Sequence, residues 1–185
     1  DATRVTKADI GVLTSLSLED TDVLGNDLTQ IAKEKAAIAR AYCPLIVRMP
    51  KEKGIRTTIE ETALHAGISE LGEASGPANI TYVDVPNGAS FREEAECLVK
   101  EIWNHLECVN DPPVTENCVW AARMQLIESR NPSEPTFLLD GAHNPSGISR
   151  AVAELSLNPN IIAGNWVLLV GTSPQTDMEG AMGPL

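Results

Sequence analysis

The sequence predicts an α/β protein built on a parallel sheet. Short apolar runs of strand length alternate along the chain with amphipathic stretches of helical period. Ser90 and Glu93 have the spacing of a capping box, which marks the start of a helix. Further along, a polar turn with the sequence DGAHNP (residues 140–145) joins an apolar run to a helical pattern. Because a helix between two strands returns the chain to the same edge of a sheet, this alternation favours parallel strands.

Five apolar runs are predicted to be strands, with helices in most of the intervals between them. The runs are residues 10–13, 44–47, 80–83, 136–139 and 166–171. The first helix is predicted from Leu28 to Tyr42, and the second is predicted to stop near Gly67. The third helix begins after Ser90 and carries four apolar residues on one face: Ala95, Leu98, Ile102 and Leu106.

Two adjacent prolines, Pro112 and Pro113, mark the predicted domain boundary. Prolines stiffen a connection and cannot donate a backbone hydrogen bond to a sheet. The sequence therefore predicts one domain at residues 1–110, a linker at 111–119 and a second domain at 120–185. The first residue is not Met, so we expect that the chain begins inside a longer polypeptide or has been processed.

Composition excludes several classes of partner. Asp and Glu outnumber Lys and Arg by 26 to 14, which gives a net charge of −12. This charge argues against nucleic acid and anionic membranes as partners, since both need clustered basic residues, and favours a soluble acidic surface. The apolar runs are also too short to span a membrane. The four cysteines lack the C-x-x-C spacing of a zinc site, so we expect reduced thiols and a cytoplasmic protein.

The DGAHNP turn contains the first candidate functional residues. It follows a predicted strand, and Asn144 and Pro145 suit the cap and the first position of the next helix. Asp140 is then predicted at the carboxyl end of a strand, where open α/β sheets bind ligands, with His143 facing the same crevice. The residues alone leave two interpretations equally open: a ligand-binding crevice, or an ordinary capped turn between a strand and a helix.

Lys35 is a further candidate because of its neighbours on the first helix. It shares a predicted helix face with apolar residues on both sides: Leu28, Ile31, Ala32, Ala39 and Tyr42. A lysine at the centre of an apolar face must extend its amine to water, pair with an acid or lose its charge. The residues alone favour the first of these, a lysine near a helix end that reaches solvent.

Four motifs in one order resemble a known family. Residues 138–145 (LLDGAHNP) resemble the signature of the folylpolyglutamate synthase and dihydrofolate synthase family, whose members are ATP-dependent ligases related to the Mur ligases. Residues 13–36 are similar to the family block ITNIGLDHTDxLG…IAREKAGI. The WAARM segment (residues 120–124) stands where the family has WPGRL, and the opening DAT is similar to the end of GGRLDATN. The resemblance covers residues 1 to about 45 and about 118 to 185.

This resemblance implies a fold and an activity. The fold would be the end of a Mur-ligase-like central ATPase domain joined to the start of a Rossmann-like C-terminal ligase domain. The activity would be ATP-dependent addition of glutamate to a folate or dihydropteroate carboxylate through an acyl phosphate. ATP and Mg²⁺ would be the cofactors. The remaining segments of the same polypeptide would complete the enzyme.

The resemblance also implies roles for individual residues. Lys35 would be carbamylated, and its new carboxylate would help to hold magnesium. Asp20 stands where the family has a histidine metal ligand. Since a carboxylate is a good ligand for magnesium, this exchange either preserves the metal site or marks its loss. Arg123 would reach the ATP phosphates, while Asp140 and His143 would lie against the nucleotide.

The family's phosphate-binding loop, similar to GTNGKGS, precedes its DAT segment, and so does a magnesium-binding glutamate. Residues 1–185 contain nothing that resembles this loop. We therefore expect the chain to be incomplete as a ligase. The alternative interpretation is a non-catalytic remnant or interaction module that keeps the fold without the phosphate loop.

Overall fold

The computed structural model describes residues 8–18, 27–66, 76–111, 118–131, 133–161, 163–171, 178–183 and 185. These residues form five strands and five helices. The strands are β1 (Gly11–Leu13), β2 (Pro44–Arg48), β3 (Asn79–Val83), β4 (Gln125–Ile127) and β5 (Phe137–Leu139). The helices are α1 (Leu28–Ala36), α2 (Lys53–Ala66), α3 (Phe91–His105), α4 (Pro145–Ser156) and α5 (Met178–Met182).

The chain divides into two compact units, Asp1–Pro113 and Val114–Leu185. In the first unit, β1, β2 and β3 form a parallel sheet in that order. In the second unit, β4 pairs with β5 in an antiparallel manner. The predicted α/β fold with a parallel sheet is therefore confirmed for the first unit. The identity of the two domains and the linker at 111–119 stay predictions.

The core of the first unit is centred on β2. Its middle residues Leu45, Ile46 and Val47 are at most 1% exposed, which explains why this strand reads as a continuous apolar run. Leu45 and Val47 pack into a cluster with buried residues of α1 and α2: Ala32, Ala36, Ile55, Ile59 and Ala63. The third helix, α3, contacts β2 and β3. Among the described helices, none is long and apolar enough to cross a membrane.

The predicted capping box at the start of α3 is confirmed. The Ser90 hydroxyl oxygen accepts the backbone N–H of Glu93 at 3.2 Å, and the Glu93 carboxylate accepts the backbone N–H of Ser90 at 2.7 Å. The backbone N–H and the hydroxyl of Ser90 both donate to this carboxylate, which lowers the pKa of Glu93. Two N–H groups that lack partners within the helix are thereby satisfied.

Replacement of the cap, Ser90→Ala, is expected to destabilise the first unit by about 1 kcal/mol. Because the pKa of Glu93 is lowered in the folded state, its contribution is present above the unfolded pKa and is lost as the pH falls through the folded pKa. Part of the cost of Ser90→Ala should therefore disappear in acid. Urea unfolding at neutral pH and at a pH below the folded pKa of Glu93 measures the cost of Ser90→Ala and its decrease in acid. Ser149→Ala, at an exposed serine inside α4, is the control, and an equal cost in both variants would contradict the assignment.

The first helix is shorter than predicted. It ends at Ala36. The backbone N–H groups of Ile38 and Ala39 then donate to the carbonyls three residues earlier, which forms a turn of the 3₁₀ type after the helix. Tyr42 then has a φ of 59° and is 74% exposed. The prediction of a helix face that extends to Tyr42 is therefore wrong, because the chain leaves the helix before it reaches Pro44 and β2.

The predicted strand at residues 166–171 is also wrong. The structure assigns no strand there, and Val167 and Leu169 are 85% and 83% exposed. An apolar run becomes a strand only when a neighbouring strand supplies hydrogen-bond partners. Among the described residues of the second unit, β4 and β5 pair with each other instead. Strand β4 was not predicted, because its two apolar residues, Leu126 and Ile127, lie between Gln125 and Glu128 and form no longer apolar run.

Candidate functional site

The carboxylate of Asp140 joins two segments of the second unit. Asp140 directly follows β5 and is half-buried. One of its carboxylate oxygens accepts the backbone N–H of Ala142 at 2.7 Å, and the other accepts the backbone N–H of Met124 at 2.9 Å. The side chain therefore fastens the WAARM segment to the DGAHNP turn. Each carboxylate oxygen keeps a further lone pair, so the expectation that Asp140 also lies against a nucleotide stays a prediction.

The WAARM segment has an unusual backbone on both sides of Arg123. Ala122 has a φ of 54° and Met124 has a φ of 45°, in the left-handed region that residues with a Cβ rarely adopt. Such conformations persist only when the surroundings hold them. Here the N–H of Gly141 donates to the Ala122 carbonyl at 2.8 Å, in addition to the bond between Met124 and Asp140. The DGAHNP turn therefore stabilises the conformation that presents Arg123.

The guanidinium of Arg123 lies against Gly141. A Cβ atom placed on Gly141 would be 2.4 Å from Nη1 of Arg123, so the guanidinium occupies the space where another residue would have a side chain. Arg123 is exposed and forms no salt bridge with any residue that the structure describes. An exposed guanidinium of this kind can accept a phosphate or carboxylate with two parallel hydrogen bonds.

His143 lies on the same turn and is exposed. Its Nδ1 atom is 2.9 Å from the carbonyl oxygen of Gly141. Because a carbonyl oxygen only accepts hydrogen bonds, Nδ1 carries the proton of this bond. In the neutral ring, Nε2 then has a lone pair, and in the protonated ring it donates. Both states allow His143 to contact a polar ligand through Nε2.

Helix α4 begins as predicted. The Asn144 side-chain oxygen accepts the N–H of Gly147 at 2.7 Å, and Pro145 occupies the first helical position. The amino end of a helix carries a partial positive charge that favours anions. The structure thus brings Arg123, Asp140 and His143 together at the start of α4. Sequence reasoning missed Gly141, although a glycine in a turn directly after Asp140 is a signal of close packing.

Lys35 lies beside the buried face of α1 and not at its centre. Ile31, Ala32 and Ala36 are fully buried, whereas Lys35 is half-buried near the end of the helix. Asp20 lies outside the described residues. Within the part of the chain that is described, no cluster of three or more His, Cys, Asp or Glu side chains could hold a metal ion. The role of Lys35 as a metal ligand stays a prediction.

A cavity of about 290 Å³ lies at the carboxyl ends of β1 and β2. Its lining combines the charged residues Arg48, Lys51 and Glu52 with apolar side chains of β1, α1 and α2. The Nε atom of Arg48 lies 3.0 Å from a carboxylate oxygen of Glu94, so this cation already has an acidic partner. Lys35 does not line the cavity, which therefore lies apart from the candidate residue of α1.

Curated proteins of one kind are similar to this chain. The dihydrofolate synthase/folylpolyglutamate synthase of Escherichia coli K12 is 42% identical over 195 residues, which cover 98% of this chain and 45% of that protein. The protein of the same name from Bacillus subtilis 168 is 24% identical over 177 residues, which cover 81% of this chain and 40% of that protein. No protein-family model matches the chain.

Solved structures of the same kind share the fold. Escherichia coli FolC in complex with DHPP and ADP has a TM-score of 0.60 at 21% identity, and the match covers 90% of this chain and 41% of that one. The bifunctional folylpolyglutamate synthase/dihydrofolate synthase of Yersinia pestis, complexed with AMPPNP and Mn, has a TM-score of 0.59 at 22% identity. That match covers 85% of this chain and 40% of the other.

These comparisons confirm the resemblance carried by the four motifs. The chain spans less than half the length of the curated relatives described above. The match to the Escherichia coli protein nevertheless extends over nearly all of the present sequence. The chain belongs to the folylpolyglutamate synthase and dihydrofolate synthase family and has its α/β fold.

Proposed function

We propose that this chain is part of an ATP-dependent ligase that adds glutamate to the carboxylate of a folate or dihydropteroate. The observation that carries the proposal is the exposed guanidinium of Arg123, which a hydrogen-bonded turn holds next to Gly141. The names of the relatives support the substrate class, and related structures contain ADP, AMPPNP or L-glutamate. The proposal rests on this site, since the fold alone does not determine a function.

In the proposed reaction, a carboxylate oxygen of the pteroate or folate attacks the γ-phosphorus of ATP. The bond to the β-phosphate oxygen breaks, which gives ADP and an acyl phosphate. The glutamate amine then attacks the acyl carbon, and phosphate leaves as the amide forms and the amine loses a proton. Arg123 stabilises phosphate charge through bidentate hydrogen bonds, and His143 contacts the nucleotide through Nε2. Asp140 keeps both segments in place.

A bound magnesium ion would neutralise charge on the transferring phosphoryl group, and we propose Lys35, as a carbamate, and Asp20 as residues that hold it. We assign residues 1–110 to the end of the central ATPase domain and 120–185 to the start of the C-terminal ligase domain. The remaining segments of the polypeptide supply the phosphate loop. The free thiols of Cys43 and Cys97 are consistent with the reducing cytoplasm, where we place the enzyme.

The 185-residue chain alone is expected to form no amide, because its sequence contains no segment similar to the family's GTNGKGS loop. The complete natural polypeptide is expected to release ADP only when ATP, glutamate and a pteroate or folate are all present. Coupled measurement of ADP release, with product mass, tests both expectations. ADP release by the short chain that requires glutamate would contradict the first. A complete polypeptide that binds no nucleotide and forms no amide would instead identify a non-catalytic remnant.

A further inference from the structure

The backbone dihedral φ of residue 141 does not call for a glycine. Its φ does not lie in the left-handed region, and among the described glycines only Gly88 and Gly164 have a positive φ. The sign of φ therefore does not exclude a residue with a Cβ at this position. Gly141 also lies between β5 and α4, so it interrupts neither element. The space beside Gly141 supplies a structural reason for a glycine at this position.

That space is occupied by Arg123. A Cβ on Gly141 would lie 2.4 Å from Nη1 and 3.6 Å from Cζ of Arg123, whereas real Cβ atoms essentially never approach a neighbour within 3.0 Å. It would also lie 3.3 Å from the carbonyl oxygen of Ala122, which is tight but requires only a small shift. The severe conflict is therefore with the guanidinium, and the conflict with the backbone is mild.

The backbone of the WAARM segment and the guanidinium of Arg123 differ in how easily each could move away from a side chain at position 141. The backbone on either side of Arg123 is tied to the DGAHNP turn through the bond from Met124 to Asp140 and the bond from Gly141 to Ala122. The guanidinium is the far end of a flexible side chain. A side chain at position 141 would therefore displace the guanidinium while the two segments stay together. Such a change alters the direction of Arg123 more than it alters stability.

We propose that Gly141 is a positioning residue, whose lack of a side chain allows the Arg123 guanidinium to lie across the turn. The proposal rests on the proposed function, in which this guanidinium binds the phosphates of ATP. Both Arg123 and His143 lie against Gly141, the former at its Cα and the latter at its carbonyl oxygen. Gly141 thus determines which way one of two neighbouring ligand-binding side chains points.

The structural part of the proposal can be tested without activity. In the ¹⁵N-labelled 185-residue chain, the side-chain Nε–H resonance of Arg123 is assigned by its loss in Arg123→Ala. Gly141→Ala is expected to shift this resonance. Gly54→Ala is the matched control, because nothing lies within 4 Å of a Cβ at Gly54, and it should leave the resonance in place. An unchanged Arg123 resonance in folded Gly141→Ala would overturn the proposal.

The functional part is tested by a double-mutant cycle in the complete polypeptide. Gly141→Ala is expected to raise KM for ATP about 10- to 100-fold, the scale of a displaced positioning contact, while KM for glutamate stays the same. In an Arg123→Ala background the same substitution should have little further effect, because no guanidinium remains to be displaced. Gly141→Ser provides a second variant that creates the same conflict.

The outcomes separate the two claims. If Gly141→Ala impairs ATP use equally in the presence and absence of the Arg123 side chain, Gly141 acts through something else and the inference is wrong. If Arg123→Ala alone leaves ATP use unchanged while the resonance still shifts, the contact exists but the proposed nucleotide role of Arg123 fails. Thermal unfolding of each variant shows whether it is folded. A shift together with a non-additive loss of ATP use supports both claims.

Discussion

Arg123→Ala is expected to reduce kcat/KM for ATP by about 100-fold in the complete polypeptide, the scale of losing one charged donor to a reacting phosphate. Arg123 is exposed and forms no salt bridge with a described residue. Its removal therefore leaves no described acidic group without an ion-pair partner and should change the free energy of unfolding only slightly. Steady-state kinetics with varied ATP, together with thermal unfolding of each variant, measures both effects.

Two variants make this prediction specific. Arg130→Ala removes another exposed arginine of the same unit and should leave ATP use unchanged. Arg123→Lys keeps the charge but loses the planar fork, so it should recover only part of the activity. Normal ATP kinetics in Arg123→Ala, with the protein folded, would show that this guanidinium does not meet the nucleotide.

Lys35→Ala is expected to lose most of the ligase activity, because a carbamate at this position would supply a carboxylate to the metal. A short carboxylic acid added to the assay should restore part of that activity by replacing the missing group. The position of Lys35 suits the chemistry, since it is half-buried next to the fully buried Ile31, Ala32 and Ala36. Ligation rates with and without the added acid are the measurement.

Lys33 provides the matched control for this experiment, as an exposed lysine on the same helix. Lys33→Ala should retain its activity, and the added acid should not change it. Lys35→Arg keeps a positive charge but cannot be carbamylated, so it should be as inactive as Lys35→Ala. Full activity in Lys35→Arg would exclude the carbamate and favour a lysine that only extends its amine to water.

Local signals predicted those elements whose structure depends on neighbouring residues. The capping box of Ser90 and Glu93 and the Asn144 cap with Pro145 formed as expected, because each depends on groups within a few residues. Strand β2 was also evident, since burial on both faces requires a continuous apolar run. The parallel direction of the strands in the first sheet also followed from the alternation of strands and helices.

Predictions failed where structure depends on a distant partner. The run at 166–171 is as apolar as a strand, but pairing requires a neighbour that the pattern cannot reveal. The antiparallel pair of β4 and β5 was missed for the same reason. The left-handed conformations of Ala122 and Met124 were equally hidden, because alanine and methionine do not favour them and only the bonds to the DGAHNP turn explain them.

In the candidate site, too, some features could be predicted from the sequence and others could not. The resemblance of the motifs to the family selected Arg123, Asp140 and His143, and the structure places them on two segments joined by hydrogen bonds. The sequence left a choice between a functional crevice and an ordinary turn. The structure shows the turn, since the carboxylate of Asp140 holds it together, and it leaves the side chains of Arg123 and His143 exposed, while the ligand-binding role of this site stays a prediction.

A crystal structure of the complete polypeptide with AMPPNP and a divalent cation tests the central claim most directly, that the WAARM segment and the DGAHNP turn form one nucleotide site. We predict that the Arg123 guanidinium lies at a hydrogen-bond distance of about 2.7–3.2 Å from a phosphate oxygen, with His143 against the same nucleotide. Gly141 should remain in contact with the guanidinium. A nucleotide bound elsewhere, with neither Arg123 nor His143 touching it, would contradict the account.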